Sequence, residues 1–383
     1  MSWPDDGLER TGPLAGLRIL DLSRILAGPF ATQVMADLGA DVIKVERAGA
    51  GDETRRWGPP WAATGDAAYY YVCNRGRRSV ALDLREDADR EIVLNLAEDA
   101  HVLMENFLPG AMERLGLSDA VLFARNPALV HGIISGYGHD TSRGAWPALD
   151  FVIQAHAGVL AVTGSDPDNG VKAGLPIADL SAGLYATIGV LAKVREAEAT
   201  GKGGRVEVSL AEACGSLMAN QALGYLIGGL EPRPAGNAHP NVAPYQVIDA
   251  GDAGLAVAAT SEVQFARLAA VLGLPELTTD PRFSDNAGRV EHRETLAAIL
   301  ADRLRTRPAV DWVRELNEAG VAAAIINSVS QMFSDPDTVA GLVAELPDGT
   351  KVLRTPIRLE GKPLPLSSPP PRFGEHDAEI RRG

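Results

Sequence analysis

Along the first 210 residues, short apolar runs alternate with longer segments whose apolar positions recur at helical spacing. Leu17–Leu22 reads as a buried strand, bounded upstream by Pro13 and Gly16. A helix is expected from about Pro29 to Leu38, with Pro29 in its first turn and Gly39 as its stop. Asp41–Glu46, Ser79–Leu84, His101–Glu105, Leu129–Ser135 and Arg205–Leu210 read as further strands, and Asp87–Glu98 as a helix. Small residues dominate Leu180–Ala199, a predicted long helix that Gly201-Lys-Gly-Gly204 ends; another helix follows over Glu212–Gly228. This alternation argues for an α/β fold on a mainly parallel sheet covered on both faces.

The pattern changes at Glu231–Asn241, a loop of Pro, Gly, Asn and His. Beyond it Tyr245–Asp249 and Gly254–Ala259 read as a hairpin. Helices are expected over Val263–Leu272, Asn286–Leu304 and Ala309–Glu318, and Ala322–Asn327 returns as a strand. A Pro-rich tail from Val352 is expected to pack back along the first domain. The chain thus divides into a large domain over 1–228, a small α+β domain over 229–330 and a returning tail over 331–383.

A length of 383 residues exceeds the roughly 150 of one ordinary domain, which fits that division. With 46% apolar and 22% charged residues, disordered and fibrous classes are excluded. Fifty acidic against 36 basic residues leave a net charge of −14, so nucleic acid and anionic membrane surfaces are not expected partners. Cys73 and Cys214, both in apolar surroundings, read as buried thiols of a reducing compartment. The start Met-Ser-Trp-Pro has no leader pattern, and no apolar run approaches the roughly 20 residues of a membrane span. A cytoplasmic protein is the expectation.

Several chemistries lack their residues. No GxGxxG follows the first strand, no P-loop spacing occurs, and no GxSxG elbow is present. The seven His are scattered without a metal-ligand pair, so no metal site is predicted.

Other blocks remain. Pro13-Leu-Ala-Gly-Leu-Arg-Ile-Leu-Asp-Leu is followed by Leu26-Ala-Gly-Pro-Phe, Leu38-Gly-Ala-Asp-Val-Ile-Lys-Val-Glu-Arg47 with Gly51-Asp52, and Asn74-Arg-Gly-Arg-Arg-Ser-Val-Ala-Leu-Asp-Leu84. Glu105-Asn-Phe-Leu-Pro-Gly110 with Arg114, Gly-Leu-Pro-Ile-Ala-Asp179, Gly201-Lys-Gly-Gly and Gly236-Asn-Ala-His-Pro-Asn-Val-Ala-Pro-Tyr245 continue in order. Together they resemble the family III CoA-transferases, the superfamily of formyl-CoA transferase, carnitine CoA-transferase and α-methylacyl-CoA racemase. The resemblance implies a large Rossmann-like domain with a smaller domain, and two chains interlocked like linked rings into a homodimer.

Asp179 resembles the catalytic aspartate of that family; taken alone, an Asp at a helix start reads as an N-cap. A carboxylate nucleophile suits CoA transfer, because the mixed anhydride it forms with an acyl group remains activated. A helix N-terminus is expected to keep the carboxylate ionised and to offer N–H groups to an oxyanion. The resemblance implies that Arg47 and Arg114 contact the CoA nucleotide and pyrophosphate, and that Leu82, Asn106 and Phe107 line its chain. Arg75, Arg77 and Arg78 read as solvated or supporting charge. Gly236, Asn237 and His239 fall in the region of the loop that shields the site in the family.

No permanently bound cofactor is implied: the CoA thioester is a substrate, and the partners are an acyl-CoA and a carboxylic acid. Similarity of Val171-Lys-Ala-Gly-Leu-Pro-Ile-Ala-Asp-Leu to members acting on dicarboxylic acids implies succinyl-CoA as donor; Arg143 and Lys172 read as surface loop charge, with contact to a second carboxylate as the alternative. The racemases carry a His where this chain has Leu149, and leucine cannot move a proton. Gly138-His139-Asp140 lies earlier in the chain and reads as a surface loop; His156 reads as facing the core or a partner. Pro147 stands where some transferases carry a CoA-binding Lys. A racemase or lyase on the same scaffold, and a non-catalytic acyl-CoA-binding protein, are the alternatives.

Overall fold

The computed structural model describes residues 3–7, 10–366 and 368–382. They form two compact units. The first takes in the chain up to Val159, Lys172–Leu223 and the residues from Pro336 onward. The second takes in Leu160–Val171 and Gly224–Asp335.

The frame of the first unit is a six-stranded parallel sheet of β1 (Arg18–Asp21), β2 (Asp41–Arg47), β3 (Arg77–Leu82), β4 (Val102–Glu105), β5 (Val130–Ser135) and β6 (Gly204–Ser209). Their spatial order is β3-β2-β1-β4-β5-β6. The chain winds outward from β1 in both directions, so the loops after β1 and β4 part at the carboxyl edge and leave a crevice there.

The helices are α1 (Ala27–Asp37), α2 (Asp87–Asp99), α3 (Ala111–Arg114), α4 (Asp119–Arg125), α5 (Asp150–His156), α6 (Val159–Val162), α7 (Ile177–Thr200), α8 (Leu210–Ser216) and α9 (Ala219–Gly228). One core packs α1 and α7 on the sheet through Ile19, Met35, Val42, Ala182 and Val190. A second, on the other face, joins α2 and α4 to Leu20, Ile43, Val80 and Leu103. Successive residues of a strand thus serve opposite cores, which is why these strands read as short segments rich in apolar residues.

Three expectations are corrected. Strand β3 begins at Arg77, two residues before the predicted start, because Arg77 and Arg78 are buried in ion pairs and not solvated. The helix expected over Glu212–Gly228 is two, broken between Ser216 and Ala219, whose φ is +40°. By length and apolarity α7 would suit a membrane span, with mean hydropathy 1.4 in its most apolar window. It instead buries Ala178, Ala182, Ala186 and Val190 in the core beside α1.

The second unit has an antiparallel sheet of β7 (Tyr245–Asp249), β8 (Gly254–Ala258) and β9 (Ala322–Ile325). It packs with α10 (Glu262–Val271), α11 (Asn286–Glu291), α12 (Arg293–Leu304) and α13 (Ala309–Glu318) around Phe265, Leu300 and Trp312. His292 divides the single helix expected over Asn286–Leu304.

The returning tail meets β3 at the edge of the main sheet. His376 N–H donates to Ser79 O at 2.9 Å, and Ala81 N–H donates to Asp377 Oδ1 at 2.7 Å. Arg55 Nη2 donates to Pro371 O at 3.0 Å.

Candidate active site

Helices α1 and α7 pack closely because the stripe between them is made of small residues. A Cβ added to Gly183 would lie 2.7 Å from Ala27 O, and Thr187 Oγ1 donates to Ala31 O at 3.4 Å. Residues 183 and 187 therefore run alongside 27 and 31, so the two helices are parallel. Asp179 stands one turn before Gly183 on the same stripe, about 5 Å past the start of α1. Helix N–H groups point that way. Those of Ala27 and Gly28 have no acceptor among the described residues, and α1 has no side-chain cap.

Helix α7 begins earlier than predicted. Its N-cap is Pro176, which offers no capping side chain, and Asp179 lies in its first turn and is not the cap. The capping group comes from α5: Asp150 Oδ1 accepts from Ala178 N–H at 2.8 Å and Asp179 N–H at 3.3 Å. Gln154, fully buried, holds the other oxygen, Nε2 donating to Asp150 Oδ2 at 2.6 Å. The same Nε2 donates to Leu175 O at 3.1 Å, and Gln154 Oε1 accepts from Ala173 N–H at 2.9 Å.

This overturns the expected electrostatics. Burial, and after it the charge of Asp150, push the Asp179 carboxyl up to about 7, well above the usual carboxylate range. The α7 donors expected to hold it ionised are spent on Asp150. Tyr69 also senses the pair, its phenol pushed up to about 12 by burial and then by Asp179.

A cleft of about 240 Å³ opens at the carboxyl ends of β1, β2 and β3. Leu22, Val45, Leu82 and Phe107 line it, with Arg47 and Arg24 at its rim. The predicted residues Arg47, Leu82 and Phe107 are thus brought together; Asn106 and Arg114 do not line the cleft. Asn106 ties its entrance, with Nδ2 donating to Arg24 O at 2.8 Å and Oδ1 accepting from Arg24 N–H at 2.9 Å. Arg114 ends α3 beside Leu115, which does line the cleft. Arg47 and Arg114 are exposed and make no ion pair among the described residues.

The other candidate arginines are locked. Arg75 pairs with Asp37, Arg77 Nη1 with Asp21 at 2.9 Å, and Arg78 Nη2 with Asp41 at 2.7 Å. Under the β1–α1 turn lies a buried pair that pattern reading missed, Lys44 Nζ to Asp52 Oδ2 at 2.9 Å. Against the cost of burial, Lys44 and Thr54 hold the Asp52 carboxyl down to about 2. Asp52 also accepts from the N–H of Ile25, a β-branched residue at φ +70°. Such a conformation is strained and persists only where its surroundings enforce it.

Gly236, Asn237 and His239 lie in the second unit. His239 stacks on Tyr245 with ring centroids 5.1 Å apart, and its Nδ1 accepts from Asn241 N–H at 3.1 Å. In the first unit, Arg143 lies over the Trp146 ring at 5.5 Å, and Lys172 Nζ donates to Ala173 O at 3.2 Å. Exposed His156 packs edge-on against Tyr137. Leu149 is exposed, and His139 is only partly exposed, with Nε2 buried.

The chain is 36% identical over 381 residues to the succinate–glutarate CoA-transferase of Agrobacterium fabrum, covering 97% of this chain and 95% of that protein. It is 34% identical to the human succinyl-CoA:glutarate CoA-transferase over 382 residues, covering 98% and 87% respectively. The crystal structure of a CaiB/BaiF family protein from Brucella suis superposes with a TM-score of 0.87 at 40% identity, covering 97% of this chain and 99% of that one. Residues 14–377 match the model of CoA-transferase family III, and the chain belongs to that family of CoA-transferring enzymes.

Proposed function

We propose that this enzyme moves CoA from succinyl-CoA to a second dicarboxylic acid through covalent intermediates on Asp179. The observation that carries this reading is a partly buried carboxylate in the first turn of α7, one turn before the close approach of Gly183 to Ala27 of α1, with its proton held more tightly by burial and by Asp150. Relatives named as glutarate, mesaconate and oxalate CoA-transferases support the substrate class.

In this reading the CoA part lies in the carboxyl-edge cleft, with Arg47 and Arg114 on its phosphates and Leu82 and Phe107 along its chain. Asp179 attacks the thioester carbonyl carbon, the C–S bond breaks, and CoA leaves as thiolate. The N–H groups of Ala27 and Gly28 face the oxygen on which charge develops. The thiolate then attacks the aspartyl carbonyl of the anhydride, releasing the donor acid and leaving an aspartyl-CoA thioester. The acceptor carboxylate attacks that thioester, and the expelled thiolate takes the acceptor acyl group, restoring Asp179. Each step keeps the thioester's energy provided that water is excluded. Gly236, Asn237 and His239 are the loop residues we assign to that exclusion.

We take the working form to be a homodimer of interlocked chains in the cytoplasm. The first unit leaves Phe151, Leu175, Leu184, Tyr185 and Ile188 exposed, Ile188 at 65%, apolar side chains that a partner chain would cover. The reading is tested by intact-protein mass spectrometry after incubation with succinyl-CoA. An adduct that hydroxylamine removes, absent from Asp179→Ala, is expected. Turnover without any dependence on Asp179 would overturn it.

A further inference from the structure

We infer that Asp150 is a positioning residue for the transfer, clamping the first turn of α7 and placing a second carboxylate against Asp179 so that acylation relieves their repulsion. This rests on the covalent role proposed for Asp179.

The geometry carries the argument. Asp150 spends one oxygen on the two N–H groups that place Asp179, 28 and 29 residues away in sequence. Gln154 fixes the second oxygen and ties the same carboxylate to Ala173 and Leu175, so the clamp cannot swing away. An ordinary helix would be capped by Ser, Thr or Asn at its own N-cap; here Pro176 leaves that task to a charged group from another element. A carboxylate caps a helix N-terminus more strongly than a neutral oxygen does. Here the same charge also stands beside Asp179, whose carboxyl it helps to raise.

Among the described side chains, Tyr69 senses both carboxylates and Cys214 on α8 senses Asp150; burial raises both groups, so they stay neutral at working pH and bring no positive charge to the pair. Lys172, on the segment leading to α7, is exposed and donates to Ala173 O. Forming the anhydride removes one of the two negative charges and transfers it to the departing thiolate. The free enzyme is therefore raised in energy relative to the acyl-enzyme, which favours attack by Asp179 on a thioester.

The test measures the pH dependence of Asp179 acylation by rapid quench and intact mass in wild type and Asp150→Asn. Asparagine keeps an oxygen for Ala178 and Asp179 and removes the charge. The acid limb is expected to move down by about one pH unit, and acylation above pH 8 to slow several-fold. A folded variant whose limb does not move overturns the inference. Absence of any adduct in wild type would instead overturn the covalent reading itself. If Asp150→Asn does not fold, carboxyl carbon NMR of the unsubstituted protein, assigned with Asp179→Asn, decides. A two-step titration of Asp179 is expected, and a single ordinary carboxylate step overturns the proposal.

Discussion

A methyl group placed on Gly183 would stand 2.7 Å from the carbonyl oxygen of Ala27 and 2.9 Å from the Phe30 ring. Neither neighbour is a flexible chain end, so Gly183→Ala must push α7 away from α1, and Asp179 moves with it. We expect kcat to fall about 100-fold and stability to fall by about 1–3 kcal/mol. Steady-state kinetics with thermal melting check this. A variant with wild-type kcat would show that the helix contact does not set the position of Asp179.

The Asp179 carboxyl, pushed up to about 7 by burial and then by Asp150, should make kcat/KM rise with pH through neutrality and level off above it. Stability runs the other way. The folded protein holds this proton more tightly than the unfolded chain, so Asp179 costs stability increasingly as pH rises from about 4 to 7. Asp179→Asn should therefore abolish turnover yet raise the melting temperature more at pH 8 than at pH 4. Equal shifts at both pH values would count against the raised carboxyl.

Arg47→Met and Arg114→Met should each raise KM for an acyl-CoA about 10-fold or more and leave kcat nearly unchanged, if their work is phosphate binding. With acyl-pantetheine, which lacks the nucleotide, both variants should match wild type. A defect that persists with the short thioester would place these arginines elsewhere in the mechanism.

Ile188, 65% exposed on α7, should be covered in the dimer. Ile188→Arg is expected to shift the protein toward monomer in sedimentation velocity. An unchanged sedimentation coefficient at micromolar concentration would remove this face from the interface.

Most of the sheet was legible because strands that serve two cores are rich in apolar residues, as Leu17, Ile19, Leu20 and Leu22 make the first one. Strand β3 was the exception: Arg77 and Arg78 look solvated in one dimension, and only the long-range partners Asp21 and Asp41 make their burial tolerable. Asp179 was legible only through the family resemblance of the ordered motif blocks; by itself it reads as a helix cap. Its electrostatics were not, because nothing in the linear pattern says that Asp150, 29 residues away, caps α7. Arg24 escaped notice for a similar reason, since Asn106 holds its backbone from 82 residues away.

The seal that the tail places on β3 also sets a clock. Ala81 meets its partner Asp377 across 296 residues of chain. At about 5–20 residues per second, a ribosome needs roughly 15 to 60 s to deliver that partner. Throughout that interval the outermost strand of a growing sheet offers its unpaired amides to any passing neighbour. The nascent enzyme is most vulnerable to sticking after β3 has been synthesised and before Asp377 emerges, so its yield should depend on what shelters the chain during that wait.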